Sequence, residues 1–139
     1  MLHFEAHILQ LIVIAFVNFF MSWLWYSPVL FAKPWMKALG IAPDHTMTDE
    51  QKKEMPFLFL SGIVASLALS YALQVVVHSV CATDFLHGVI VGGVVWFGFA
   101  LTHSLNTLWE GRSKVVIAIN NGLFLLTYAV FGGVIAVWH

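Results

Sequence analysis

Four predominantly apolar runs, each about the length of a bilayer crossing, limit this chain more than any other feature. A helix rises about 1.5 Å per residue, so about 20 apolar residues cross the roughly 30 Å hydrocarbon core. The runs fall at about 8–26, 57–80, 85–108 and 115–138. Backbone polar groups in hydrocarbon must be satisfied within the segment or by a closed barrel, and runs of this length are helical. The expected fold is therefore all-α: a four-helix transmembrane bundle that takes up residues 1–139 as one integral membrane domain. Only 9% of residues are charged, against about a quarter in soluble domains. The lipid bilayer is the first partner implied.

Several function classes drop out. Net charge is -1 with His neutral, and no basic stripe gives nucleic acid an electrostatic footprint. The single cysteine, Cys81, cannot form a disulfide within the chain and has no second cysteine for a zinc or redox motif. There is no nucleophile elbow, phosphate-binding loop or dinucleotide fingerprint, so no cofactor is expected and the reading leans away from an enzyme. Glu5 replaces the positive start of a signal peptide. Aromatic Trp23, Trp25 and Tyr26 stand where a small-residue cleavage site would follow, so the first run is read as a retained span.

The basic residues orient the bundle. Lys33, Lys37, Lys52 and Lys53 lie between the first two runs, and Arg112 and Lys114 between the last two. By the positive-inside rule both termini face outward and loops 27–56 and 109–114 are cytoplasmic. In the stretch WLWYSPVLFAKPW, Trp23, Trp25 and Tyr26 are expected at the aromatic belt. Ser27 before Pro28 is expected to cap a new helix. Segment 28–40 then reads as a short interfacial elbow helix after the first span. Lys33 and Lys37 snorkel toward water, Pro34 divides the segment into two turns, and Gly40 ends it. Residues 41–55 form a cytoplasmic loop, in which Thr48 and Gln51 read as a capping box opening the second long helix.

Trp25-Tyr26-Ser27-Pro28, Leu30-Phe31, Lys33, Trp35 and Gly40 together resemble the signature of the four-span membrane family catalogued as domain of unknown function 1761. Glu110-Gly111-Arg112 followed by Asn120-Asn121-Gly122 is similar to its second recognisable stretch. The likeness covers nearly the whole chain, with Ala32 standing where the pattern has glycine. The resemblance implies a four-span architecture and a bacterial or fungal membrane setting, and the expected location is the inner (plasma) membrane of a bacterium. It implies no activity.

Polar side chains within a span are costly and are often functional. Counted from the loop-bearing ends of the runs, Asn18, Ser66, His103, Asn120 and Asn121 come to similar depths, most of them roughly 10 Å inside. Ser22 follows Asn18 by one turn. His103 shares a helix face with Asn106, Thr107 and Glu110. The candidate ligand-binding set is therefore Asn18, Ser22, Ser66, His103, Asn106, Asn120 and Asn121, converging from all four helices. The leading expectation is a small oligomeric membrane protein, a homo-oligomer, that binds or passes a small solute at this layer. One alternative is a membrane-embedded enzyme using His103 as acid or base on a lipophilic substrate. Another is an accessory subunit in which the layer only fastens helices. His3 and His7, four apart, are weak metal candidates. Gly62, Ser66 and Ser70, with Gly88, Gly92, Gly132 and Gly133, mark close helix contacts within the bundle or between subunits.

Overall fold

The computed structural model describes residues 2–42 and 44–138, and the regular structure among them is helical. Four long helices are α1 (Ile8–Trp25), α3 (Asp49–Ser79), α4 (Phe85–Trp109) and α5 (Lys114–Val137), with a short α2 (Ala32–Ala38) between α1 and α3. All four long helices are long and apolar enough to cross a membrane. Phe16, Phe57, Val94 and Leu101 are each more than half exposed, an apolar surface of the kind that faces lipid. This is a membrane protein.

The helix ends follow from local chemistry. Thr48 Oγ1 accepts from the Gln51 N–H at 3.2 Å and Gln51 Oε1 accepts from the Thr48 N–H at 2.9 Å, completing the expected capping box. The Asp84 carboxylate accepts from the His87 N–H at the start of α4, and Ser113 Oγ from the Val115 N–H at the start of α5. α1 has no side-chain cap of its own at His7. Gln74 of α3 serves instead, accepting from the His7 N–H at 3.2 Å and donating to the His7 carbonyl at 3.3 Å. Gly40 ends α2 in the left-handed region at φ 72°, with Gly40 N–H on the Lys37 carbonyl and Ile41 N–H on that of Met36. Cys81 takes the equivalent place after α3 at φ 55° and is exposed.

The expected details of the first connection need correcting. Ser27 is not a helix cap: α2 begins only at Ala32, and the Ser27 carbonyl accepts from Leu30 and Ala32 while the Phe31 N–H reaches back to the Trp25 carbonyl. The Phe31 ring packs on Trp25 with centroids 4.5 Å apart, which favours this tight reversal over an immediate restart. Pro34 does not divide the segment, because it lies in the first turn of α2, where the missing N–H would have had no intrahelical partner.

α4 and α5 form the closest pair. A Cβ on Gly88 would collide with the Gly132 carbonyl, and one on Gly92 with the Tyr128 carbonyl, so these glycines serve contact inside the chain. α1 lies along α3, and α5 touches every other helix. A buried apolar cluster of Ile14, Leu73, Val77, Ala82, Phe131, Ile135 and Ala136 fills the half nearer the α3–α4 turn. Polar contacts lie in both halves, with Gln10 and Gln74 buried in this one, and the other half carries the Asn18 contacts and the openings around α2.

Candidate functional site

Asn18 is the junction of three helices. Its Nδ2 donates to Ser66 Oγ on α3 at 2.8 Å, and its Oδ1 accepts from Thr127 Oγ1 on α5 at 3.2 Å. Ser22, one turn along α1, donates its hydroxyl to the Asn18 carbonyl at 2.9 Å. Ser66 and Thr127 are buried. Such groups need partners when removed from water, and here they supply one another.

The other predicted residues are placed in separate contacts. Asn120 Oδ1 accepts from the Tyr26 hydroxyl at 2.7 Å, beside a bond from Trp25 Nε1 to the Ile119 carbonyl at 3.1 Å. Trp25 and Tyr26 thus turn inward onto α5, whereas Trp23 stays exposed. Asn121 Nδ2 donates to Ser104 Oγ on α4 at 2.7 Å, and its backbone carbonyl accepts from Trp96 Nε1 at 3.0 Å. The His103 ring stacks on Phe99, with Phe124 edge-on at 5.8 Å. His103 Nε2 and Asn121 Oδ1 are buried without a hydrogen-bond partner. Asn106 is exposed. The structure therefore joins Asn18, Ser22 and Ser66, and sets Asn120, Asn121 and His103 on other contacts rather than around one shared opening.

Beside the Asn18 junction lies a cleft of about 410 Å³ between α1, the chain after it and α3. Phe19, Trp23, Phe59 and Gly62 supply most of its wall, and Ser22, Tyr26, Ser27 and Ser66 its polar groups. The Ser27 hydroxyl is buried with no hydrogen-bond partner, a group that costs about 1–3 kcal/mol when left unmade. Phe19 and Phe59 are not singled out by the sequence, in which Trp23, Ser27 and Gly62 read as belt, cap and helix-contact residues rather than as a site. The available signal was spacing. Phe19, Ser22, Trp23 and Tyr26 share one helix face, as do Phe59, Gly62 and Ser66. A second cavity of about 690 Å³ lies alongside α2, and Pro28 lines both.

At the opposite end lie His3 and His7, the weak metal candidates. α1 begins at Ile8, so His3 and His7 do not share a helix face. The His3 N–H donates to Ser79 Oγ, and the His7 ring meets His78 edge-on at 5.0 Å. Among the described residues no group of three or more His, Cys, Asp or Glu side chains is placed to hold a metal ion.

A family model described as "Protein of unknown function (DUF1761)" matches residues 9–136. No curated protein and no solved structure matches the chain.

Proposed function

The chain belongs to the DUF1761 family, a membership that brings no activity with it, and we propose from geometry that it binds a lipophilic molecule in the α1–α3 cleft. The observation that carries this reading is a cleft walled mostly by rings, with Ser27 in its wall and the Ser27 hydroxyl buried behind that wall without a hydrogen-bond partner. Trp23 and Phe59 at its rim are exposed, so a membrane amphiphile enters sideways from the lipid. Its apolar part lies against Phe19 and Phe59, and its polar end toward Ser27 and Pro28, where a small shift of the wall brings the Ser27 hydroxyl within reach. Apolar walls with a few placed polar groups are the usual make-up of a small-molecule site.

This places the ligand beside the polar layer and not within it. Asn18, Ser66, Asn120 and Asn121 already spend hydrogen bonds on one another's helices, which supports a fastening role for most of the layer. Passage of a solute would require a second copy to wall the open side of the cleft, so oligomeric state separates a binding protein from a conduit.

Filling the cleft tests the reading. A Cβ at Gly62 meets the Phe19 ring at an ordinary 3.7 Å, so Gly62→Phe is expected to fold while its ring occupies the cleft. In vesicles containing a diazirine-bearing phosphatidylcholine, wild-type protein should be labelled saturably at Phe19, Trp23 and Phe59. Gly62→Phe should lose that component, leaving only the unsaturable labelling common to lipid-facing residues. Equal saturable labelling in both proteins refutes the proposal.

The orientation proposed is the one the lysines favour, with the 27–56 and 109–114 loops cytoplasmic in a bacterial inner membrane. Cys81 is exposed at the α3–α4 turn. A membrane-impermeant maleimide added to intact spheroplasts is expected to modify it. Modification only after the membrane is opened reverses the orientation.

A further inference from the structure

The proposed ligand can be assigned a chemical class from what adjoins the cleft. We propose that it is an anionic phospholipid, its phosphate held by Lys33 and Lys37 of α2 and one acyl chain lying between α1 and α3. This rests on the cleft reading above and adds the headgroup to it.

The cavity beside α2 is lined by Pro28, Ala32, Met36 and Ile41 together with Lys33 and Lys37. Pro28 also lines the aromatic cleft, so the two spaces share a wall residue at the reversal between α1 and α2. One has rings and hydroxyls but no cation on its wall. The other has an apolar floor and two cations. An amphiphile with an apolar chain and a negative head matches that division, and Ser27, next to the shared Pro28, lines the aromatic cleft.

The lysines are free to serve. They are one turn apart on α2 and both exposed. The ion pairs among the described residues are Lys52–Asp49 and Arg112–Glu110, and neither α2 lysine takes part in one. An ammonium on a long flexible stem can lay its methylenes along an apolar wall while its charge meets a phosphate. The left-handed turn at Gly40 folds Ile41 back toward Met36, which gives this second cavity its far wall.

Native mass spectrometry of the full chain in detergent, titrated with phosphatidylglycerol and with phosphatidylcholine of the same acyl chains, tests the assignment. At low ionic strength phosphatidylglycerol should bind more tightly by about ten- to thirty-fold, the effect of two lysines near a charged headgroup. Lys33→Ala with Lys37→Ala should reduce phosphatidylglycerol binding to the phosphatidylcholine level and leave phosphatidylcholine unchanged. Lys52→Ala with Lys53→Ala should leave the preference intact. Equal binding of the two lipids by wild type, or a preference that survives loss of the α2 lysines, overturns the headgroup assignment and leaves the cleft reading standing. Undiminished binding of both lipids by Gly62→Phe overturns the cleft reading and this one with it. Inorganic phosphate that displaces phosphatidylglycerol at equal concentration identifies a free anion as the occupant and also overturns the proposal.

Discussion

Replacing Gly92 by alanine is expected to lower the unfolding free energy in detergent by about 2–3 kcal/mol, although alanine is the better helix former by about 1 kcal/mol. A Cβ at this position has no room: the Tyr128 carbonyl of α5 occupies the space and Ala129 Cα lies 3.2 Å away. The obstacle is backbone, not the far end of a flexible side chain, so relief requires α4 and α5 to separate. Gly88→Ala meets the Gly132 carbonyl and the Ala136 methyl in the same way. The two glycines are one turn apart on one seam, so the double substitution should cost less than the sum of the singles once the helices have parted. Gly93 and Gly98 on the same helix have nothing within 4 Å of an added Cβ. There alanine should raise stability by about 0.5–1 kcal/mol through lower chain entropy. Reversible unfolding in mixed micelles would show opposite signs at Gly92 and Gly93. A loss of similar size at both would mean that the α4–α5 seam is not where the structure places it.

Asn18→Ala should have the next largest effect, about 1–2 kcal/mol. Hydrogen bonds between membrane helices average about 0.6 kcal/mol, with a maximum near 1.7, and this side chain makes two. Part of the loss is recovered, since Ser66 and Thr127 hydroxyls can fall back on carbonyls one turn earlier in their own helices. A double-mutant cycle of Asn18→Ala with Ser66→Ala should return a coupling of about 0.5–1.5 kcal/mol. Ser61→Ala removes an exposed hydroxyl bonded only to Leu58 in its own helix and should change little. Saturable lipid labelling of the cleft should persist in Asn18→Ala. A variant that lost labelling and kept its unfolding midpoint would move Asn18 from fastening to ligand contact.

The number and kind of long helices was legible because bilayer thickness imposes a length that can be counted. So were Thr48 as a cap and Gly40 as a stop, because both act within a few residues of chain. Depth was countable too, but direction around the helix axis was not. Asn120 and Asn121 are neighbours about 100° apart on α5, and one meets Tyr26 just after α1 while the other meets Ser104 of α4. Which neighbour lies on which side depends on the order of helices in the bundle, and no local rule encodes that. His103 shows the same limit. Its depth suggested polar company, yet its ring rests between Phe99 and Phe124. Ser27 failed for a different reason. The capping rule is sound, but the Trp25–Phe31 contact tightens the chain into a reversal before a helix can begin. The hydroxyl released from capping is the one that now marks the cleft.

An experimental density map of the protein in lipid nanodiscs tests the cleft reading most directly. The account predicts elongated non-protein density between Phe19 and Phe59 that reaches Ser27 and Pro28, and a headgroup feature within reach of Lys33 and Lys37. Closure of α1 onto α3, so that Phe19 and Phe59 fill the space and no such density enters, would contradict it.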